Sequence, residues 1–190
     1  ALGHDLEQAD VAAALHVRAA AELAAAADVE HAHFVAVLLA EQHHGAQLLR
    51  FLDGQHLRRG GRIGQDLAER LLPFKVDIAY SGPTPKAVPY THYKDITSLA
   101  KACDVLFLSC PATPDTDKMV NREVLEALGP NGFLINIARG SVVDEAALLY
   151  ALQQKIIAGA ALDVYDNEPN PNEDFLNLDN VLLTPHIGSA

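Results

Sequence analysis

Tryptophan is absent from the 190-residue sequence, methionine occurs once and cysteine twice. Cys103 and Cys110 show neither a CxxC motif nor a Cys/His metal spacing, so no zinc site or catalytic thiol is indicated and a reducing compartment is expected. Positive charge is also scarce, with 14 Lys and Arg against 25 Asp and Glu. That balance excludes broad contact with nucleic-acid phosphates.

Long apolar runs are lacking too. No stretch approaches the roughly 18 uncharged apolar residues that a membrane span requires, and the N-terminus has no signal-peptide pattern. We therefore expect a cytoplasmic protein that does not contact membranes. Because 49% of the residues are apolar, the chain can bury one main core, with at most a small appendage.

Residues 1–59 contain no Lys, Ile, Pro, Ser, Thr, Tyr or Asn. This Ala/His-rich segment is dense in helix formers, and a break near Asp28 predicts two helices, over about 5–27 and 29–52. A helical hairpin is one interpretation. The other concerns the gene: apart from Phe34 and Phe51, every residue type here has a codon beginning with G or C. That is the pattern of a shifted or reverse-strand translation joined to a true frame near Gly60, and both interpretations stay open.

Four histidines of this segment suggest a metal site at first sight, namely His31, His33, His43 and His44. Adjacent residues and residues two apart do not share a helix face, so these pairs are poorly placed to chelate an ion. We expect no metal.

From Gly60 onward, strands alternate with helices. The strands are short apolar runs without polar alternation, which is typical of a parallel sheet covered on both faces. We therefore predict an α/β fold with a doubly wound parallel sheet. The predicted helices are 65–72, 96–102, 122–128 and 145–154, and the predicted strands are 76–80, 105–109, 132–137, 159–164 and 181–184.

A glycine loop opens this second part of the chain. Gly61 and Gly64 precede a helix at the spacing that lets backbone approach a pyrophosphate at a helix N-terminus. The fingerprint is incomplete, because Arg59 stands at its first glycine position and residues 53–58 do not form an apolar strand. The sequence thus predicts a dinucleotide-binding domain over 60–190 that lacks a complete first strand.

Three motifs follow: Asn-Ile-Ala-Arg-Gly-Ser-Val-Val-Asp-Glu at 136–145, Ala-Leu-Asp-Val-Tyr-Asp-Asn-Glu-Pro at 161–169 and Thr-Pro-His-Ile-Gly-Ser-Ala at 184–190. Their order and spacing resemble the NAD(P)-dependent D-isomer-specific 2-hydroxyacid dehydrogenases, which implies a Rossmann-type fold. The resemblance implies that Arg139, Glu168 and His186 are catalytic.

The chemistry suits these residue types. Reduction of a 2-keto acid needs a proton donor, which an imidazole oriented by a carboxylate provides, and a planar cation that grips the substrate carboxylate. By the same resemblance, the cofactor-binding residues are Gly61, Arg62, Ile63, Gly64, Ser81, Cys110, Thr116, Ile137, Ala138, Arg139, Asp163, His186, Gly188 and Ser189. No acidic residue follows the strand that ends at Tyr80, and Ser81 with Lys86 can accommodate a 2′-phosphate, so NADP(H) is slightly favoured over NAD(H).

The resemblance favours a reductase of the glyoxylate, hydroxypyruvate or hydroxyphenylpyruvate type that acts on a small 2-keto or 2-hydroxy acid, and it implies a homodimer. The alternatives are a dinucleotide-binding module and an inactive fragment, neither with turnover. The family normally has a separate substrate domain, which we expect to be absent or truncated here. We therefore expect very weak catalysis, or none, from the isolated chain.

Overall fold

The computed structural model describes residues 48–52, 62–74 and 76–187. In this part of the chain the strands are β1 (Leu48–Leu52), β2 (Asp77–Ser81), β3 (Thr91–Tyr93), β4 (Val105–Leu108), β5 (Phe133–Asn136), β6 (Gly159–Leu162) and β7 (Val181–Leu183). The helices are α1 (Arg62–Leu71), α2 (Ile96–Lys101), α3 (Arg122–Leu128) and α4 (Glu145–Gln153), with 3-10 turns at Leu72–Phe74, Gly140–Val142 and Glu173–Asn177.

All neighbouring strands are parallel, in the order β3-β2-β1-β4-β5-β6-β7. This order confirms the predicted doubly wound sheet. It reverses between β1 and β4, and open α/β sheets bind ligands beyond the carboxyl ends of the strands at such a point. Asp163 and His186, which belong to the second and third motifs, lie just past the ends of β6 and β7, respectively.

The strand β4 shows how both faces of the sheet are buried. Leu106 and Leu108 belong to the larger core cluster, which α2, α3 and α4 cover, whereas Val105 and Phe107 belong to a smaller cluster under α1. The alternation follows from the two-residue period of a strand. All four side chains are buried, so a Phe107→Ala change would cost roughly 3–5 kcal/mol.

Side-chain caps begin three of the helices. Asp95, Asn121 and Asp144 each accept a hydrogen bond from the backbone N–H three residues on, and each such cap contributes about 1 kcal/mol. Within the residues that the structure describes, no helix is long and apolar enough to cross a membrane.

The N-terminal predictions need a correction. The helix expected over 29–52 is wrong at its end, because Leu48–Leu52 is a strand that pairs with β2 on one side and β4 on the other. Without it, the facing edges of β2 and β4 would carry unpaired N–H and C=O groups in the middle of the sheet. We expected residues 53–58 to provide the first strand of the domain and to leave it incomplete. That strand is instead formed by Leu48–Leu52. The rest of both predicted helices lies outside the described residues.

The elements predicted after residue 60 are all present, with ends that differ by up to three residues. The strand β3 was not predicted. It has only three residues and lies at the edge of the sheet next to β2, where a Thr-His-Tyr sequence gives no apolar signal.

Candidate active site

The first turn of α1 lies at the switch point of the sheet. A Cβ on Gly64 would come within 3.1 Å of the Ser109 Oγ, so this turn packs directly over the end of β4. The unpaired N–H groups of a helix start favour an anionic group there. Arg62 begins the helix and Ile63 is 55% exposed, while Gly61 lies outside the described residues. The cradle fits the pyrophosphate of a dinucleotide.

A hydrogen-bonded loop follows β2. The hydroxyl of Tyr80 accepts the backbone N–H of Lys86 at 2.6 Å, and Nε2 of His92 donates to the carbonyl of Gly82 at 2.8 Å. The Tyr80 and His92 rings also pack together, with centroids 5.0 Å apart. Ser81, at the end of β2, is buried. Both ends of the 82–86 loop are thereby tied to the sheet.

Lys86 lines a small pocket together with Gly64 and Gln65 of α1. Partial burial lowers the pKa of its ammonium below the ordinary 10.5. The pocket therefore places a cationic side chain beside the helix start that would hold the pyrophosphate.

The loop after β4 follows the carboxyl end of that strand. Cys110 is buried, and that burial raises the pKa of its thiol to about 11, so the thiol stays protonated and unreactive at neutral pH. The hydroxyl of Thr116 donates to the carbonyl of Pro111 at 2.8 Å and accepts the N–H of Thr113 at 2.8 Å. These bonds fix a tight turn in which the Thr116 hydroxyl satisfies two backbone groups.

Asn136 shapes the loop that carries Arg139. Its buried amide accepts the N–H of Ala138 at 3.0 Å and donates to the carbonyl of Arg139 at 3.1 Å, which orients the segment through Ile137. The Arg139 guanidinium is exposed and donates through Nη1 to the carbonyl of Ala138 at 2.6 Å. A guanidinium has further N–H donors for an incoming carboxylate.

His186 and Glu168 form a close pair. Nδ1 of His186 lies 2.6 Å from Oε2 of Glu168, and the two side chains are 31% and 33% exposed. The hydrogen bond from His186 lowers the pKa of Glu168 below its ordinary 4.5, as do the Tyr165 amide and the charge of Arg139. An ionised carboxylate can only accept, so Nδ1 carries the hydrogen and Nε2 is left for proton transfer.

Asp163 braces the residues around His186. Its Oδ1 accepts the hydroxyl of Thr184 at 2.6 Å and the N–H of Ile187 at 3.1 Å. His186 has a φ of 55°, an uncommon backbone conformation for a residue other than glycine. Gly188 and Ser189 lie outside the described residues.

The comparison with known families is decisive on ancestry. The model of the family described as "D-isomer specific 2-hydroxyacid dehydrogenase, NAD binding domain" matches residues 60–188. The chain belongs to this family. The resemblance drawn from the three motifs is thus confirmed.

Among the relatives, a 2-ketogluconate reductase of Gluconobacter oxydans is 50% identical over 131 residues, which cover 68% of this chain and 42% of that protein. A hydroxyphenylpyruvate reductase of Plectranthus scutellarioides is 46% identical over the same shares. The chain therefore spans about two fifths of the length of these dehydrogenases and reductases.

Solved structures agree. The NADPH-dependent glyoxylate/hydroxypyruvate reductase of Sinorhizobium meliloti, in complex with NADP and malonate, superposes with a TM-score of 0.71 at 48% identity. The match covers 76% of this chain and 44% of that one. A dehydrogenase of the family from Xanthobacter autotrophicus, in complex with NADPH and MES, has a TM-score of 0.69 at 28% identity, covering 94% of this chain and 76% of that one.

The structure thus brings the dehydrogenase-type residues Glu168 and His186 into contact, and Arg139 close enough to act on Glu168 by its charge. Sequence reasoning gave no role to Asn136, Tyr165 or Thr184. All three stand inside the quoted motifs. The side chains of Asn136 and Tyr165 bond to backbone atoms that the sequence does not reveal, and the Thr184 hydroxyl bonds to the carboxylate of Asp163, 21 residues earlier. In the described part of the chain no three His, Cys, Asp or Glu residues cluster as metal ligands, and the four N-terminal histidines lie outside it.

Proposed function

We propose that this chain carries the cofactor-binding and proton-donating half of an NAD(P)H-dependent reductase that converts a small 2-keto acid to the D-2-hydroxy acid. The observation that carries the proposal is the 2.6 Å contact between Nδ1 of His186 and Oε2 of Glu168, with the cationic Arg139 nearby. Glyoxylate and hydroxypyruvate are the favoured substrates, since the names of several relatives specify them.

The cofactor would be held at the switch point. The first turn of α1 suits the pyrophosphate, the residues after β2 and β4 suit the adenosine, and the Ile137–Ala138 segment with Asp163 suits the nicotinamide. NADP(H) is favoured over NAD(H), because Lys86 lines the pocket beside α1 and the two relatives with bound cofactor named above hold NADP or NADPH.

In the proposed reaction the substrate carboxylate binds the guanidinium of Arg139, which also polarises the keto oxygen. When bound, the reduced nicotinamide supplies the hydride. As negative charge develops on the keto oxygen, Nε2 of His186 gives up its proton to that oxygen. Glu168 holds the ring through Nδ1 and stabilises its positive charge before the transfer.

The share of the relatives that the chain covers limits the expected rate. In this family a second domain closes over the nicotinamide and excludes water, so we expect very weak but measurable turnover from the isolated chain. The extent of the dinucleotide-binding domain and the Ala/His-rich or non-native character of residues 1–59 remain predictions.

Two measurements on the purified 190-residue chain test the proposal. Calorimetric titration with NADPH and NADH should show binding, with NADPH the tighter ligand. NADPH oxidation with glyoxylate and with hydroxypyruvate should be slow and should disappear in His186→Asn, with Glu69→Gln on the exposed face of α1 as the control. Absence of dinucleotide binding would refute the proposal, and turnover that survives in His186→Asn would refute the role of His186.

A binding module without turnover is the second candidate. The observation that favours it is that the features suited to a dinucleotide, the first turn of α1 and the pocket lined by Lys86, lie within this chain. It predicts dinucleotide binding that persists when every 2-keto acid tested leaves NADPH unoxidised.

The family resemblance also favours a homodimer, and the cysteine content favours the cytoplasm. Cys103 and Cys110 are both buried thiols that form no disulfide, which suits a reducing compartment where the cofactor is available. Light scattering on the purified chain tests the dimer, and a tagged copy followed by fractionation tests the location.

A further inference from the structure

Tyr165 stands between the loops that carry the proposed catalytic residues. It lies three residues beyond the end of β6, and only 7% of it is exposed. A buried phenol hydroxyl needs a hydrogen-bond partner, so its bonds decide what it does.

The hydroxyl donates toward the loop of His186. It lies 2.6 Å from the carbonyl of Thr184 and 3.1 Å from that of Leu162. A carbonyl only accepts, so the single phenol hydrogen goes to these oxygens, and the shorter contact is the one two residues before His186. Burial, followed by the charge of Asp163, raises the pKa of Tyr165 to about 12, so the group remains a donor at any working pH.

The backbone of the same residue holds the other half of the pair. The N–H of Tyr165 donates to Oε1 of Glu168 at 3.2 Å, while Oε2 of Glu168 contacts Nδ1 of His186. The hydroxyl, Thr184, His186, Glu168 and the Tyr165 amide therefore form one closed ring of covalent links and hydrogen bonds.

The loop that carries Arg139 packs against the backbone of Tyr165 as well. A Cβ on Gly140 would lie 1.9 Å from the carbonyl carbon of Tyr165. The next amide, that of Asp166, donates to Oε1 of Glu145 at 2.7 Å, at the start of α4. The Tyr165 segment is thus the common support of all three loops.

We propose that Tyr165 is a positioning residue whose hydroxyl sets the distance between His186 and Glu168. A phenylalanine would fill the same ring volume, so packing alone does not call for the hydroxyl. Asp163 provides a second brace through Thr184 and Ile187, so removal of the hydroxyl should loosen the pair without unfolding the loop. The inference rests on the proposed function only for the catalytic role of the His186–Glu168 pair.

The test is the titration of Glu168 in the full 190-residue chain, followed by carbon NMR of its side-chain carboxyl. In Tyr165→Phe the pKa of Glu168 should rise from its lowered value toward the ordinary 4.5, because the hydrogen bond from His186 weakens. Tyr150→Phe is the matched control, since that tyrosine is exposed on α4 beside Arg122. Two-dimensional NMR spectra establish that each variant is folded.

A double-mutant cycle separates positioning from a general structural effect. In a His186→Asn background, Tyr165→Phe should no longer move the pKa of Glu168. An unchanged pKa in Tyr165→Phe alone would overturn the proposal, and so would an equal change in both backgrounds, since Tyr165 would then act on Glu168 without His186.

Turnover gives a further readout. In Tyr165→Phe the kcat for keto-acid reduction should fall roughly tenfold with the KM for NADPH unchanged, because a misplaced acid slows proton transfer without affecting cofactor binding. The titration needs neither cofactor nor substrate. Its failure is therefore distinct from failure of the proposed function, which would appear as absent NADPH binding by the unsubstituted chain.

Discussion

Gly140 touches the backbone of Tyr165 so closely that any side chain at position 140 would overlap it. A Cβ there would lie 1.9 Å from the carbonyl carbon of Tyr165 and 2.1 Å from its oxygen. Two loops that are distant in sequence, one carrying Arg139 and the other Glu168, can approach in this way only through a residue without a Cβ.

Gly140→Ala should therefore be strongly destabilising. We expect the free energy of unfolding to fall by roughly 3 kcal/mol, the upper end for overpacking, because both contacting groups are backbone and neither can rotate away. Urea denaturation followed by circular dichroism measures the change. Ser141→Ala, at the neighbouring position, should stay close to the unsubstituted protein, and equal stability of the two variants would contradict the expectation.

The Glu168 carboxylate should make stability depend on acid pH. Its pKa is lowered in the folded chain, first by the hydrogen bond from His186, so its ionised form favours folding. The contribution is present above the ordinary carboxyl value and is lost as the pH falls through the lowered value. Glu168→Gln should therefore be less stable than the unsubstituted chain at neutral pH, and this difference should shrink in acid.

Urea denaturation at a series of pH values from neutral to about pH 3 measures this difference. Glu69→Gln removes an exposed carboxylate of α1 and serves as the control. A stability difference for Glu168→Gln that stays constant over the whole range would show that the ion pair contributes nothing to folding.

Lys86 should discriminate between the two nicotinamide dinucleotides. If its ammonium meets the 2′-phosphate, Lys86→Gln should weaken NADPH binding about tenfold, equivalent to about 1.4 kcal/mol, and leave NADH binding nearly unchanged. Calorimetric Kd values for both cofactors test this. Lys94→Gln removes an exposed cation on the loop after β3, and an equal loss of NADPH affinity in that variant would point to general charge attraction instead.

Most of the fold after residue 60 could be predicted because its apolar runs and helix starts are local signals. The sequence also predicts Arg139, Glu168 and His186 as the candidate catalytic residues, since each lies in a motif of fixed spacing at a strand end. The role of Tyr165 was not visible, because the acceptor of its hydroxyl is a backbone carbonyl 19 residues away. Every residue type has a backbone carbonyl, so the residue type at position 184 does not show that its carbonyl accepts this hydrogen bond.

The first strand was mislocated for a different reason. The sequence Leu-Leu-Arg-Phe-Leu at 48–52 is compatible with a helix or a strand, and the Ala-rich residues before it favour a helix. Sheet pairing overrides this local preference, because a strand between β2 and β4 satisfies backbone groups on both sides. The pairing partners of β1 lie about 30 and 55 residues later in the chain, so a local window of sequence does not contain them.

The central position of β1 leads to a test of whether these five residues are part of the folded domain. Leu49 is paired with Ile78 on one side and Val105 on the other. A proline there removes the N–H and leaves a ladder acceptor unpaired in the interior of the sheet, so Leu49→Pro should lower the free energy of unfolding by roughly 2 kcal/mol or more. Leu49→Ile keeps the amide and the side-chain volume, and should cost less than about 1.5 kcal/mol. Equal stability of the two variants would mean that the domain folds without β1, and amide hydrogen exchange at Ile78 and Val105 would then be as fast in the unsubstituted chain as in Leu49→Pro.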